Sequence, residues 1–401
     1  MPPAGERDVI GGTASRPAGP PFDQWQSAGY LSWSMQNMAS FLPVHSIRRG
    51  ERTTSFALAA EDLSRVPVTH PWTGANLTFD DVMAATATDG WIVTRDGAIV
   101  GESYSDPMTQ STVHLLMSVS KSLTTATAGA LMGAGLLDAA RPVSDYVPAL
   151  AGSGYAGATI RDLVDMRTGI AFSEDYLDDG AEVRLLEQAI GWAPRKHEGV
   201  ADTLLGFLAS LGSDRPHGGR FDYKSCETDA LGFVIEGATG RAGAEVMSDW
   251  LWQPMGAEHD ANVGVDAVGG PMFDGGVSAT LRDLARFGSL FLRDGCALDG
   301  MPVLPAWWID DTLTGAPDSR EAFAAAVEPT LMPGGMYRNG FWFPRPGSDV
   351  FLALGIHGQM IYVNRPARVV AAKLSTWPTP QDGDKLLTTV AAFDAAAWSL
   401  S

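Results

Sequence analysis

The sequence predicts an α/β (α+β) protein in which an antiparallel sheet flanked by helices is formed from both chain ends, with a mainly helical subdomain inserted between them. Three observations predict it: a strand–turn–strand pattern at 90–104, a middle whose apolar residues recur at helical spacing, and alternating segments from Tyr337 onward that end in an amphipathic stretch. The implied division is an N-terminal extension wrapping the core (1–65), an α/β subdomain drawn from 66–135 and 290–401, and a mainly helical subdomain at 136–289, with the active site between them.

Met1 to Pro21 is Pro/Gly-rich and polar without an apolar core segment, so neither a secretory signal nor a membrane anchor is expected. No later stretch approaches an uninterrupted apolar span of about 20 residues, and a cytoplasmic protein is the expectation. Up to about Arg65 the chain mixes Pro, Gly and Ser with isolated aromatics such as Trp25, Tyr30 and Trp33, and no chemistry is assigned to it. Trp91-Ile92-Val93-Thr94, Arg95-Asp96-Gly97 and Ala98-Ile99-Val100 then read as strand, tight turn and strand.

Ser122 through Leu136 is rich in Ala and Gly and reads as a helix suited to close burial. Thr159-Ile160-Arg161-Asp162 has the capping-box form and opens a helix expected to stop near Gly169. Further helices are expected at Asp202–Leu211, Glu227–Glu236 and Leu281–Leu292. Tyr337–Phe343, Asp349–Ile356, Gln359–Val363 and Val369–Leu374 suggest an antiparallel meander, and Lys385–Leu400 a helix packed on it.

With 401 residues, 45% of them hydrophobic, the chain can bury a large core and a deep pocket. A formal net charge of −19 argues against nucleic acid or an anionic membrane as a partner, since both repel it. Cys226 and Cys296 read as free thiols.

Ser118-Val119-Ser120-Lys121 carries the chemistry. Residues three apart share a helix face, which places a weak nucleophile beside an amine, and a desolvated Lys gives up its charge more easily and becomes a proton acceptor. Lysine occurs only at positions 121, 196, 224, 373 and 385, and only Lys121 has a Ser three residues earlier. The competing reading is a helix start with Ser118 or Ser120 as N-cap and a solvated Lys121. A phenol beside the Lys could come from any of four Tyr-x-Ser/Asn elements, at Tyr30, Tyr223, Tyr337 and Tyr362; Tyr223 stands out because Gly218-Gly219 precedes it and a helix follows.

Taken in order, Ser118-Val119-Ser120-Lys121, Tyr223-Lys224-Ser225, Gly275-Gly276-Val277-Ser278 with Asp283 to Gly288, and Ile356-His357-Gly358-Gln359 resemble the class C β-lactamase and penicillin-binding superfamily of serine hydrolases. The longer strings His114 to Ser122, Glu174-Asp175-Tyr176, Gly355 to Gln359 and Ser375-Thr376-Trp377-Pro378 resemble the 6-aminohexanoate-dimer (nylon oligomer) hydrolases and related carboxylesterases. The resemblance implies a β-lactamase/transpeptidase-like fold with Ser118 as acylated nucleophile, Lys121 as its base and Tyr223 as the proton shuttle to the leaving group. Backbone N–H groups of Ser118 and Ile356 would form the oxyanion hole. A phenol near pKa 10 is a useful shuttle if the Lys121 ammonium stabilises its phenolate.

By the same resemblance Tyr176 contacts substrate, Glu187 faces a substrate amine, Asp274 is a polar pocket residue and His357 lines the site. For Glu187 the plainer reading is a solvated helix face, and for His357 a structural histidine. A homodimer is also implied. The Lys-Thr-Gly strand with which penicillin-interacting members hold a substrate carboxylate is replaced by Ile356-His357-Gly358, and no Ser-Asp-Asn element of the class A enzymes occurs.

The expected activity is therefore hydrolysis of small carboxylic esters or linear amides through an acyl-enzyme, without a cofactor. Penicillin-binding, DD-peptidase or β-lactamase activity and a non-catalytic ligand-binding member are the alternatives. A Ser-His-Asp triad around His357 lacks the Gly-x-Ser-x-Gly elbow. Metal chemistry lacks support, because His45, His70, His114, His197, His217 and His259 are scattered, and Gly275-Gly276 lacks the Lys of a phosphate loop.

Overall fold

The computed structural model describes residues 19–326 and 331–401, so the Pro/Gly-rich start up to residue 18 lies outside the described residues. Its strands are β1 (Val44–Ile47), β2 (Ala57–Leu58), β3 (Pro67–Thr69), β4 (Asn76–Thr78), β5 (Thr88–Arg95), β6 (Ala98–Tyr104), β7 (His114–Leu115), β8 (Ala261–Gly264), β9 (Val277–Ala279), β10 (Met336–Arg338), β11 (Phe341–Phe343), β12 (Val350–Gly355), β13 (Gln359–Asn364) and β14 (Val369–Ser375). The main sheet runs β10-β11-β12-β13-β14-β5-β6-β2. The β14–β5 ladder joins the two chain ends, with Ala372 opposite Ile92. Pairing is antiparallel throughout except at the edge, where β2 lies parallel to β6.

Both faces of the central strands are covered, which is why β13 and β14 read as nearly continuous apolar runs. On one face Leu284 and Phe287 of helix Leu281–Leu290 and Leu123 of helix Val119–Gly133 pack with Ile361 and Val370. On the other, Phe393 of helix Gly383–Ser399 packs with Phe79, Val93 and Tyr362. Each fully buried Leu, Ile or Phe contributes roughly 1.5–3 kcal/mol. A third cluster fills the helical middle, where Val234 of helix Ser225–Thr239 meets Leu163, Leu204 and Leu208.

Two sequence expectations are corrected. Tyr337–Phe343 is a hairpin, β10 and β11, because Asn339 (φ 51°) and Gly340 (φ 84°) both take the left-handed conformation that a two-residue turn requires. The capping-box helix closes as expected at Thr159 and Asp162 but ends at Val164, a turn before Gly169, because Met166 adopts φ 54°. Within the mostly helical middle, β8 and β9 join β1 and β7 in a second sheet of order β1-β8-β9-β7. Among the described residues no helix is long and apolar enough to cross a membrane.

Lys373 on β14 is fully buried, its Nζ donating to the Thr86 carbonyl and to Ser375 Oγ. Burial pushes its pKa down to about 7, with Asp89 opposing the shift. Between about pH 7 and the usual lysine range near 10, the unfolded chain binds more protons than the folded one at this position, so stability rises with pH across that window. Below it the destabilisation is complete. Lys373→Met is expected to melt above the wild type at about pH 6, with the advantage shrinking toward about pH 9.5. A constant difference across that range, measured by thermal melts, contradicts it.

Candidate active site

The loop from β7 into helix Val119–Gly133 places Ser118. Leu116 N–H donates to the Val277 carbonyl (2.8 Å), continuing the edge of β7, and Met117 then turns the chain through φ 47°. A side chain at positive φ is strained, and such residues persist only where their surroundings hold them. The helix behind Ser118 is pinned: Ser122 Oγ donates to the Gly340 carbonyl and Thr125 Oγ1 to the Asn339 carbonyl (both 2.7 Å). Ser118 is at the N-cap position but makes no capping bond.

Lys121 is 1% exposed, so the solvated first-turn lysine is excluded. Its three N–H groups are spent on Ser118 Oγ (3.0 Å), Ser225 Oγ (3.1 Å) and the Asp274 carbonyl (2.8 Å). Asp274 Oδ2 lies 3.7 Å away, and the Asp274 N–H donates to Asp229 Oδ1 (2.9 Å). Burial pushes the Asp229 carboxyl well up and Asp274 beside it adds to that, so this pair retains a proton.

Tyr223 comes from the loop before helix Ser225–Thr239. Lys224 anchors that loop through the Ile170 carbonyl and Asp222 (2.9 Å). The Tyr223 phenol lies near Ser118, whose hydroxyl works against the rise of its pKa, and Lys121 Nζ sits 5.1 Å from its ring centroid. Its ring rests on Trp342 (5.2 Å) and Tyr337 (6.1 Å). The lowered phenol expected from Lys121 is reversed here. Burial raises its pKa well above the ordinary tyrosine value and the Glu174 charge raises it further, so Tyr223 is held as a neutral proton donor.

Glu174 had no role in the sequence reading. It is partly buried, with Oε2 accepting from Ser225 N–H (2.9 Å) and Oε1 accepting from Ser225 Oγ (2.5 Å) and the Tyr176 hydroxyl (2.6 Å). The signal available was its place two residues before Tyr176. Tyr176 itself lines the cavity, under the Arg184 guanidinium at 5.7 Å.

A cavity of about 410 Å³ opens over Ser118, with Ser225, Asp274 and Ile356 on its walls. Glu187 lines it too, but Arg184 holds both carboxylate oxygens (2.9 Å each) and Gln26 Nε2 donates to one of them (2.9 Å), so it is neither solvated nor an unpaired anion. Trp25 and Gln26 belong to the N-terminal wrap, to which no chemistry was assigned, and both line this cavity. The Trp25 indole donates to the Trp192 carbonyl (2.8 Å), a contact between residues too distant in sequence for any local pattern to announce.

Ile356 lines the cavity opposite Ser118, and among the described residues neither main-chain N–H is spent on another protein group. Gly355 lets the two approach. A Cβ there would fall 2.5 Å from the Leu116 carbonyl oxygen and 3.1 Å from Met117 Cβ. His357, at φ 60°, is not among the lining residues: its Nδ1 pairs with the Trp377 carbonyl (2.7 Å), and burial lowers its pKa, so it is neutral near pH 7. This geometry favours the structural histidine, the plainer of the two readings of His357. Among the described residues no group of three His, Cys, Asp or Glu could hold a metal ion.

Residues 75–395 match the Beta-lactamase family model. The chain is 35% identical over 362 residues to the 6-aminohexanoate-dimer hydrolase of Paenarthrobacter ureafaciens, covering 90% of this chain and 89% of that one. A Bacillus anthracis structure, described provisionally as a 6-aminohexanoate-dimer hydrolase, superposes with a TM-score of 0.86 at 23% identity, over 94% of this chain and 96% of that one. A family VIII carboxylesterase shares the fold at a TM-score of 0.58 and 17% identity, over 79% and 96% of the two chains.

Proposed function

The chain belongs to the Beta-lactamase family of hydrolases, and within it we propose that it cleaves small carboxylic esters or linear amides through an acyl-enzyme on Ser118. The observation that carries this reading is the buried amine of Lys121 within hydrogen-bond reach of Ser118, with the Tyr223 ring 5.1 Å from the same amine. In this reading Lys121 takes the Ser118 proton as Oγ attacks the carbonyl. The N–H groups of Ser118 and Ile356 receive the oxyanion. Tyr223 gives its proton to the departing alcohol or amine and regains one from the ammonium beside it, and water attacking the acyl-enzyme reverses these roles.

Support for linear amides comes from the name of the Paenarthrobacter relative, and for esters from the carboxylesterase sharing the fold. A β-lactam reading gains nothing from this site, because Ile356 stands where the Lys of a Lys-Thr-Gly strand would be, and the residue after it is a neutral, buried His357. The test is a fluorophosphonate probe together with turnover of p-nitrophenyl esters, 6-aminohexanoate dimer and a cephalosporin. Labelling that is absent, or that persists in Ser118→Ala, removes the reading.

Arg184 already neutralises Glu187, so the cavity is built as much for an uncharged acyl group as for an amine. Glu187→Gln is expected to lower kcat/KM for an amine-bearing linear amide by no more than about tenfold, roughly 1.4 kcal/mol. Neutral p-nitrophenyl esters should be unaffected, and equal losses on both substrates rule out recognition of the amine by this carboxylate.

A further inference from the structure

The proposed mechanism needs Lys121 as a neutral amine, yet Asp274 Oδ2 at 3.7 Å favours the ammonium. One partly buried acid next to the trio has no task in that mechanism. We propose that Glu174 is a positioning residue that stores the Lys121 proton, received through the Ser225 hydroxyl, so that the amine beside Ser118 is freed without exchange with bulk water. The inference rests on the serine hydrolase reading above.

The hydrogen bonds run in one line. Lys121 Nζ donates to Ser225 Oγ (3.1 Å), and Ser225 Oγ donates to Glu174 Oε1 (2.5 Å). A hydroxyl can accept on one side while donating on the other, and a serine stands at that junction. Proton transfer from Nζ to Ser225 Oγ, with the serine's own hydrogen passing to Glu174 Oε1, yields a neutral amine and a neutral carboxylic acid. Rotation about the Cε–Nζ bond then turns the lone pair to Ser118 Oγ–H.

Burial favours the neutral acid, raising the Glu174 pKa against the opposing charge of Lys121. The other titratable groups around this line do not substitute for it. Tyr176 and Tyr223 are neutral phenols, and burial keeps the Cys226 thiol neutral. Asp274 and Asp229 form their own pair, with the nearer carboxylate oxygen beyond hydrogen-bond distance of Nζ.

The test is the second-order rate of fluorophosphonate labelling of Ser118 against pH, in the full chain. In the wild type the proton moves within the site, so the rate should be nearly flat through neutral pH. In Glu174→Gln the proton must leave to solvent, and the rate should climb about tenfold per pH unit, from a deficit on the order of a hundredfold near about pH 6 to the wild-type level near about pH 8. Ser225→Ala should show the same slope and Ser225→Thr, which keeps a hydroxyl, a flat profile. Should Glu174→Gln fail to melt cooperatively, the Ala and Thr variants of Ser225 decide. Profiles parallel to the wild type, whatever their height, overturn the relay. That outcome with labelling still confined to Ser118 leaves the hydrolase reading intact, whereas labelling of Ser118→Ala removes both.

Discussion

Ser118→Ala should leave less than about one part in ten thousand of the wild-type kcat on a p-nitrophenyl ester, with the melting curve almost unmoved. Both halves follow from the geometry. Ser118 is the only group that the proposed chemistry makes covalent, and no neighbouring hydroxyl can take its place: Ser225 Oγ is committed to Glu174 and Ser120 Oγ accepts from Val277 N–H (3.1 Å) inside the core. Stability is spared because Ser118 makes no capping bond, so the ordinary cost of about 1 kcal/mol for losing a helix cap does not arise. Lys121 keeps Ser225 and Asp274 as partners. Lys121→Ala and Tyr223→Phe should fall nearly as far, and the triple variant barely further, because the three act as one unit. A Ser118→Ala enzyme turning over esters near the wild-type rate would place the nucleophile elsewhere.

Gly355→Ala tests the other half of the site, and its effect should be almost as large. The added methyl would meet the Leu116 carbonyl oxygen at 2.5 Å, and Leu116 is tied through its N–H to Val277, so the strand end must retreat instead. Ile356 moves with it, and the gap between the two oxyanion donors widens. Losing one such donor typically costs about 10²–10³ in kcat, or about 2.7–4 kcal/mol, while ground-state binding is little affected. The expectation is therefore a large fall in kcat at nearly constant KM, with a stability loss of about 1–3 kcal/mol from overpacking. Unchanged kcat in a folded Gly355→Ala protein would mean that the Ser118 and Ile356 amides do not hold the oxyanion.

What the sequence made legible was what is local. Ser118 and Lys121 meet because three residues of helix separate them, and the terminal strands and the last helix appear where periodicity places them. The hairpin at Asn339-Gly340 was equally local, and its turn signature was overlooked within one apolar run. The second sheet was not legible: strands of two to four residues, largely buried on both faces, carry no alternation. Nor could the wrap's part in the cavity be read, since Gln26 meets Glu187 only once the chain has folded. The protonation of Tyr223 was misjudged for a related reason, because burial and the Glu174 charge, not Lys121, set it.

Met117 precedes one proposed oxyanion donor and His357 follows the other, and both hold a backbone conformation that L-residues avoid. Strain of this kind costs on the order of 1–3 kcal/mol per residue and is met once, when the chain folds. In the proposed mechanism the dipoles of the two amides are thus already oriented when a carbonyl arrives. Reorganisation that a solvent would perform at every turnover is here performed once in the life of the molecule.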